Sequence, residues 1–232
     1  QALSMAAKNR GVDAYIVMPK TAPRVKVLGV QNQGAEITFC EPTLAAREST
    51  AGEIMDRTGA SLVHPYDNPD VIAGQGTAAL EFFQQAGHLD AIVSPVGGGG
   101  LMSGTSITTR AMNQDTRIFG AEPDGADDAA RSLEAGEFLP QTGPDTICDG
   151  LLTSMGEHTW PIIRDHLETI FRVSDEQVIE AMQLILDNLG MVVEPSGAAS
   201  LAAVLTPEFK ELKGIDRVGV ILSGGNVDSL PF

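Results

Sequence analysis

The sequence predicts an α/β protein in which helices pack on mostly parallel sheets. Short apolar runs, such as residues 14–18 (AYIVM) and 90–96 (DAIVSPV), alternate with longer stretches of helical periodicity. Glycine, proline or polar turns separate them, which is typical of βα units around a parallel sheet. Hydrophobic residues make up 43% of the 232 positions, so the chain is able to bury a sizeable core.

The first part of the chain predicts two βα units. A helix at residues 1–9 is closed by Gly11, and the strand at residues 14–18 is stopped by Pro19. The elements expected next are a helix at residues 23–33, a strand at 36–40, a helix at 43–58 and a short strand at 61–63.

The polar segment HPYDNPD, residues 64–70, contains two prolines and predicts a domain boundary. We expect a smaller α/β domain over residues 1–67 and a larger α/β domain over residues 68–232. Within the larger domain, residues 125–150 are rich in Gly, Pro and Asp and are predicted to form a loop. The other elements expected there are helices at residues 72–87, 101–112, 174–189 and 197–205 and strands at 90–96, 117–122 and 217–222.

The charge balance argues against nucleic acid or an anionic membrane as the partner. The chain has 15 Lys and Arg against 31 Asp and Glu, a formal charge of -16. No apolar run approaches the roughly 20 residues that a membrane helix needs. Cys40 and Cys148 lack metal-ligand spacing and no charged-then-apolar leader precedes Gln1, so a reduced, cytoplasmic protein is expected.

The strongest local motif is SPVGGGGLMSG, residues 94–104, in which a buried strand runs into four glycines and then a helix. Residues without a Cβ let successive backbone N–H groups turn toward one point at the positive end of a helix, which suits a phosphate. The motif therefore predicts an anion cradle, with a flexible turn as the alternative.

The same residues approximate the dinucleotide fingerprint G-x-G-x-x-G. Ser103 replaces its third glycine, and Glu122 ends the next predicted strand about where a ribose-binding acid would lie. That fingerprint does not call for four consecutive glycines. A nicotinamide-dependent oxidoreductase is therefore the less favoured alternative.

Two further motifs lie near the end of the chain. SGGN, residues 223–226, directly follows the last predicted strand, where an α/β sheet presents polar groups at its carboxyl edge, so Ser223 is placed to meet a ligand. EPSGA, residues 194–198, contains Ser196 as a helix N-cap among small residues that allow close packing. Taken alone, the first motif is equally compatible with a capped turn, and the second indicates a structural role.

In this order and spacing, GGGG, EPSGA and SGGN resemble motifs of the fold-type-II pyridoxal-phosphate enzymes. The segments HPYDNPDVIAGQGT at residues 64–77, PVGGGGL at 95–101 and GAEPDGADD at 120–128 are similar to serine racemases and serine/threonine dehydratases. The resemblance extends over essentially the whole chain. It implies a two-domain, tryptophan-synthase-β-like fold with mostly parallel sheets, incomplete at its N-terminus.

The resemblance also implies how the cofactor is bound. The serine that hydrogen-bonds the pyridine nitrogen of pyridoxal 5'-phosphate falls on Ser223. Because a neutral hydroxyl does not hold that nitrogen protonated, elimination and racemisation at Cα are both compatible with it. The family's phosphate-binding loop falls on Gly97, Gly98, Gly99, Gly100 and Leu101.

A divalent cation is implied in the same way. In related serine racemases it is bound by a glutamate, a backbone carbonyl and an aspartate, which match Glu122, Ala126 and Asp128. Two carboxylates and a carbonyl suit Mg²⁺ or Ca²⁺. Without the resemblance, an acidic loop of this kind is typical of a solvated surface.

Three positions are candidates for contact with the substrate. Arg47 aligns with an arginine that lies near the substrate carboxylate in some racemases, and Thr153 or Ser154 aligns with a polar contact on the opposite side. A surface arginine and ordinary loop hydroxyls are the alternative. Tyr66 occupies a position where family members differ and is a candidate for shaping specificity.

The resemblance implies a serine/threonine dehydratase, a serine racemase or both, acting on serine or threonine as a homodimer. Family members carry the Schiff-base lysine and an asparagine-containing loop before the helix that begins here with Gln1, so the missing N-terminal segment is expected to be needed for activity. A noncatalytic fragment that binds a phosphate ligand is the alternative from another class. No catalytic residue is assigned in this chain, because none of its five lysines has a comparable context: Lys8, Lys20, Lys26, Lys210 and Lys213.

Overall fold

A computed structural model describes residues 1–232, which form two compact units. The first unit comprises Gln1–Val63 and Asn226–Pro231, and the second comprises His64–Gly225 together with Phe232. Both units contain helices and parallel strands, which confirms the predicted α/β class. The domain limits expected at residues 67 and 68 stay a prediction.

The first unit has a two-stranded parallel sheet. The strand β1 (Tyr15–Pro19) pairs with β2 (Glu36–Cys40), with Ile16 opposite Ile37. Both strands and all three helices agree with the sequence prediction to within two residues. The helices are α1 (Ala2–Arg10), α2 (Arg24–Gln31) and α3 (Leu44–Thr58).

The short strand predicted at residues 61–63 is wrong. These residues have no regular secondary structure, and all three are exposed. A strand needs a neighbour to satisfy its backbone groups, and the sheet of this unit consists of β1 and β2 alone. Local β propensity is therefore not sufficient to form a strand here.

The second unit has four strands and seven helices. The strands are β3 (Ala91–Pro95), β4 (Arg117–Pro123), β5 (Thr169–Val173) and β6 (Val218–Val220), in the order β5-β4-β3-β6 and all parallel. The helices are α4 (Pro69–Ala86), α5 (Gly100–Met112), α6 (Asp128–Ala135), α7 (Thr159–His166), α8 (Asp175–Leu189), α9 (Pro195–Leu205) and α10 (Pro207–Lys210). None of the helices combines the length and hydrophobicity that crossing a bilayer requires.

The strand order determines where a ligand is expected in this unit. The chain passes from β3 to its neighbour β4 and on to β5, and then returns so that β6 pairs with the other side of β3. Every residue of β3 is buried, as in a central strand covered on both faces. In open parallel sheets, ligands bind beyond the carboxyl ends of strands at such a change of direction. The segments that follow β3 and β6 therefore frame the expected site.

Four elements of this unit lie where the sequence predicts none. The loop expected at residues 125–150 contains α6, the stretch between this loop and the helix expected at residue 174 contains α7 and β5, and α10 follows the helix expected at residues 197–205. The side chain of Glu122 on β4 accepts hydrogen bonds from the amides of Ala129 at 3.2 Å and Ala130 at 2.7 Å. This capping of α6 comes from a residue outside the helix, so the local pattern does not reveal where the helix begins.

Glycines determine how closely α4 and α5 pack. A Cβ added to Gly104 of α5 would lie 2.4 Å from the carbonyl oxygen of Ile72 and 2.5 Å from the amide nitrogen of Gly76, both on α4. A Cβ on Gly76 would in turn lie 2.7 Å from Oγ1 of Thr108. Because backbone atoms cannot yield as a flexible side chain does, these glycines hold α5 against α4.

We predict that Gly104→Ala destabilises the full-length protein by about 3 kcal/mol, since the new methyl group meets backbone on α4. The matched control is Gly74→Ala, in the same pair of helices, where an added Cβ has nothing within 4 Å. That control is expected to be neutral or to stabilise by about 0.5 kcal/mol, because alanine has the higher helix propensity. Urea denaturation measures both changes, and equal effects would contradict the close packing.

Candidate functional site

The segment Gly97–Gly100, which we name the glycine loop, connects β3 to α5. All four residues are buried, and Gly99 has φ = +86°, a conformation that residues with a Cβ rarely adopt. A Cβ on Gly97 would lie 3.0 Å from Cα of Leu151, one on Gly98 would lie 2.3 Å from Cγ of Tyr66, and one on Gly100 would lie 2.9 Å from Cα of Tyr66. The loop therefore requires glycine for its conformation and for its packing.

The backbone amides of this segment are left without acceptors. None of the six amides from Gly97 to Met102 donates a hydrogen bond within the chain, whereas the next amide, of Ser103, donates to the carbonyl of Gly99 at 2.8 Å. Buried amides are nearly always paired in native proteins. Three of these six belong to the first turn of α5, where the helix dipole favours a negative charge. The segment therefore has the geometry of an anion site and fits a phosphate group.

Two segments from elsewhere in the second unit contact the glycine loop. The hydroxyl of Thr159, the first residue of α7, donates a hydrogen bond to the carbonyl of Gly98 at 2.9 Å. The carbonyl oxygen of Gly150 would lie 3.0 Å from a Cβ on Gly97. The amide of Gly150 donates to the hydroxyl of Ser196 at 2.9 Å, so α9 holds this second segment in place.

Tyr66 is the side chain packed on Gly98. It is half-buried, and its ring meets the ring of His64 edge to face, with centroids 4.6 Å apart. The amides of Tyr66 and Asp67 approach Nδ1 of His64 at 3.4 Å and 2.9 Å. The structure thus brings Tyr66, a residue predicted from the sequence, against the predicted glycine loop.

Ser223 lies at the same edge of the sheet as the glycine loop. The chain continues alongside β3 beyond β6, since the amide of Ile221 donates to the carbonyl of Val93 at 3.0 Å. Ser223 itself is exposed. Its neighbour Gly224 accepts a hydrogen bond from the amide of Glu194 at 2.9 Å, so the EPSGA and SGGN motifs are in direct contact.

The N-cap predicted at Ser196 is wrong. The capping position of α9 is Glu194, Pro195 occupies the first turn, and Ser196 lies inside the helix. Its hydroxyl instead accepts the hydrogen bond from the amide of Gly150, which lies 46 residues earlier in the chain. The structural role expected for EPSGA is therefore achieved through a long-range contact rather than through a local cap.

Glu122 and Asp128 form a buried acidic pair at the carboxyl end of β4. Their exposed fractions are 0% and 1%. Burial raises the pKa of Asp128 to about 7, because neither carboxylate oxygen has a hydrogen-bond partner of ordinary geometry and the nearby amides of Asp128 and Met155 offset burial only in part. Burial, together with the charge of Asp128, raises the pKa of Glu122 well above its ordinary value. Such a pair is electrostatically unsatisfied unless it is protonated or meets a cation.

Of the three cation ligands predicted from the sequence, only Glu122 and Asp128 are side chains. Ala126 is buried in a single 3-10 turn, Asp124–Ala126, between the two acids. No group of three His, Cys, Asp or Glu side chains is placed to hold a metal ion. Both oxygens of Glu122 accept amides of α6, so this acid also caps that helix.

The remaining predicted residues have different surroundings. Thr153 is half-buried two residues after Leu151, which contacts the glycine loop. Ser154 accepts a hydrogen bond from the amide of Gln141 at 2.8 Å, so its hydroxyl is engaged in holding a loop. Arg47 belongs to α3 of the first unit, where its Nε is buried without a hydrogen-bond partner. Its role stays a prediction.

Two residues that support the glycine loop are not predicted from the sequence. Thr159 begins a helix for which no element is predicted, and Asp67 lies in the polar crossing that is predicted as a boundary. Proline and aspartate in HPYDNPD do indicate an ordered turn. The partner of Asp67 at His158 lies 91 residues further along the chain, and no local pattern identifies it.

The chain is similar to known enzymes over nearly its whole length. The model of the family described as pyridoxal-phosphate dependent enzyme matches residues 1–224. A serine racemase of Dictyostelium discoideum is 48% identical over 230 residues, which are 98% of this chain and 71% of that protein. The structure of maize serine racemase has a TM-score of 0.95 at 41% identity and covers 98% of this chain and 70% of that one. The structure of a threonine deaminase from T.th. has a TM-score of 0.90 at 42% identity, with 99% and 75% covered.

We predict that Gly98→Ala destabilises the protein by about 2 kcal/mol and that adding Tyr66→Ala restores most of this loss, because the three atoms nearest to the new Cβ all belong to the ring of Tyr66. Gly100→Ala is the matched control. Its Cβ meets the Cα, Cβ and carbonyl oxygen of Tyr66, which remain in Tyr66→Ala, so no restoration is expected. A urea-denaturation double-mutant cycle measures the coupling, and equal restoration in both backgrounds would refute the packing described.

Proposed function

The chain belongs to the family of pyridoxal-phosphate dependent enzymes, and from this we propose that the protein acts at Cα of serine or threonine, as a dehydratase, a racemase or both. The observation that carries the proposal is the run of acceptor-free amides from Gly97 to Met102, which matches the anionic end of that cofactor. Support also comes from the similarity to serine racemases and to a threonine deaminase.

We propose that the glycine loop and Leu101 hold the phosphate and that the hydroxyl of Ser223 donates to the ring nitrogen. When bound, pyridoxal phosphate supplies an electron-withdrawing ring that makes the Cα proton of an amino acid acidic. Ser223 is a neutral donor, so it orients the ring without holding its nitrogen protonated as a carboxylate would. The buried glycine loop binds the phosphate away from water, where hydrogen bonds to an anion are strongest.

The lysine that carries the cofactor is assigned to none of the five in this chain. Lys213 is at the opposite edge of the sheet from the glycine loop, since its carbonyl accepts a hydrogen bond at 3.1 Å from Arg117 at the start of β4. Lys8 donates to the carbonyl of Asn32 at 3.3 Å, and Lys20 is paired with Glu41. We propose that residues outside 1–232 supply the lysine.

We further propose that Tyr66 limits the size of the substrate side chain, that Thr153 provides a polar contact and that Arg47 recognises the carboxylate. Contact of Tyr66 with Gly98 supports the first of these roles. The buried Nε of Arg47, which lacks a partner, is compatible with an anionic ligand.

We propose that a divalent cation, Mg²⁺ or Ca²⁺, binds at Glu122, the carbonyl of Ala126 and Asp128. The unpartnered, buried oxygens of Asp128 support this, because a hard cation satisfies carboxylate oxygens that lack donors. Water would complete the coordination. The cation would hold the end of β4 to the start of α6 and would stabilise the fold.

We also propose a cytoplasmic homodimer that binds neither nucleic acid nor membrane. The formal charge of -16 disfavours anionic partners. The two cysteines, Cys40 and Cys148, are free and buried, as is compatible with a reducing compartment. Light scattering of the full-length protein would measure its mass in solution.

We predict that the full-length protein with pyridoxal phosphate converts L-serine to pyruvate and ammonia, to D-serine, or to both. A coupled lactate dehydrogenase assay and chiral chromatography measure the products, and borohydride reduction with peptide mapping locates the lysine. Ser223→Ala is expected to lower turnover by about threefold to tenfold, the worth of one hydrogen bond between neutral groups. Ser229→Ala, in the exposed segment that follows, is the control. Normal cofactor binding without turnover would instead favour a noncatalytic binding protein.

We predict that millimolar Mg²⁺ or Ca²⁺ raises the melting temperature of the full-length protein and that Asp128→Asn abolishes this increase, because the amide offers one neutral oxygen in place of two anionic ones. Asp124→Asn, in the same loop but exposed, is the control and should keep the increase. Retention of the increase in the Asp128 variant would exclude this cation site.

A further inference from the structure

Asp67 accepts hydrogen bonds from the start of α7. Its Oδ1 accepts the amides of His158 at 2.8 Å and Thr159 at 3.2 Å, and its Oδ2 accepts the amide of Glu157 at 3.0 Å. The ring nitrogen Nδ1 of His158 lies 3.3 Å from Oδ2. This side chain thus caps a helix that begins 92 residues further along the chain, for which His158 at the capping position provides no side-chain cap.

The carboxylate is closely fitted to this position. Burial alone would raise the pKa of Asp67, but the hydrogen bonds from His158 and Thr159 outweigh burial and lower it, so the acid is ionised at neutral pH. A Cβ on Gly156 would lie 2.1 Å from Cγ of Asp67, so the backbone at Gly156 packs directly against the carboxylate. Asp67 therefore fixes the position of the first turn of α7.

The first turn of α7 in turn contacts the glycine loop. The hydroxyl of Thr159 accepts the amide of Gly156 at 2.8 Å and donates to the carbonyl of Gly98 at 2.9 Å. A Cβ on Gly99 would lie 2.8 Å from both Cβ of Thr159 and Cδ1 of Ile163. Helix α7 therefore packs directly against Gly98 and Gly99.

Because the peptide bond is planar, this contact also determines the direction of the next N–H group. In a trans peptide the carbonyl and the following N–H point in opposite directions. Because Thr159 holds the carbonyl of Gly98 toward α7, the N–H of Gly99 points away from α7. That amide is one of the six that donate no hydrogen bond within the chain.

We propose that Asp67 is a positioning residue for phosphate binding: it anchors α7, and Thr159 on α7 then aims the amide of Gly99. Its backbone also belongs to the turn that places Tyr66 on Gly98, because the amides of Tyr66 and Asp67 converge on His64. This role rests on the proposed function, since it requires that the glycine loop binds a phosphate.

The test compares pyridoxal 5'-phosphate with pyridoxal, which lacks the phosphate, as ligands of the full-length protein. Asp67→Ala is expected to raise the Kd for pyridoxal phosphate about tenfold and to change the Kd for pyridoxal less than about twofold. Asp67→Asn keeps one acceptor oxygen for the amides of His158 and Thr159, so it should recover most of the affinity. Thr159→Val should reproduce the alanine effect, and the double variant should be no worse than either single variant.

The matched control is Asp90→Ala. Asp90 accepts the amides of Asp216 at 2.9 Å and Arg217 at 2.7 Å and contacts His88 at 2.9 Å, but it lies at the other end of β3. This variant should lower the melting temperature without changing the ratio of the two Kd values. If Asp67→Ala leaves the ratio of the two Kd values unchanged, because both ligands bind more weakly by the same factor or neither does, Asp67 has only a structural role and the proposal is wrong. If the wild-type protein itself shows no preference for the phosphorylated ligand, the proposed phosphate site fails instead.

Discussion

The second unit depends on one electrostatic constraint, the presence of six consecutive amides without acceptors at the carboxyl end of its central strand. Each unpaired, buried amide costs about 1 to 3 kcal/mol, so such a segment persists only when the surrounding structure leaves no alternative. The sheet provides this rigidity, because β3 is buried along its whole length. A tetrahedral anion with several acceptor oxygens satisfies many of these amides together, which is why the geometry indicates phosphate rather than a neutral ligand.

The glycine loop is held in place by contacts from distant parts of the chain. Tyr66 covers one side, Leu151 lies against Gly97, and Thr159 supports Gly98 from α7. A Cβ on a glycine of the loop would crowd Tyr66, Leu151 or Thr159. The absence of Cβ atoms therefore serves two purposes, since it permits the positive φ of Gly99 and lets other segments approach closely enough to restrict the loop. A loop restricted before the ligand arrives loses less entropy on binding.

Much of the fold could be predicted from the sequence because βα alternation is a local signal. Strands such as residues 36–40, bounded by turn residues, and helices ended by glycine are recognisable within a short window. Predictions failed where tertiary contacts decide the outcome. Residues 61–63 have the composition of a strand but no neighbour, and α6 begins where Glu122 accepts its amides. The strand β5 (TIFRV) is different, because its β-branched and aromatic residues are a local signal from which it could have been predicted.

In the site, too, local signals could be predicted and tertiary contacts could not. Its acids illustrate why sequence alone does not reveal their roles. Asp67 and Asp128 both lie in polar segments rich in Asp and Pro, yet three amides satisfy the first, whereas the second has no hydrogen-bond partner of ordinary geometry. The pKa of Asp67 is accordingly lowered, and burial raises the pKa of Asp128 to about 7. A satisfied acid holds the structure together, while a buried acid whose surroundings do not offset the cost of burial requires a proton or a cation. The number of donors around each carboxylate, which only the folded structure determines, therefore separates an aspartate that anchors a helix from one that is left electrostatically unsatisfied.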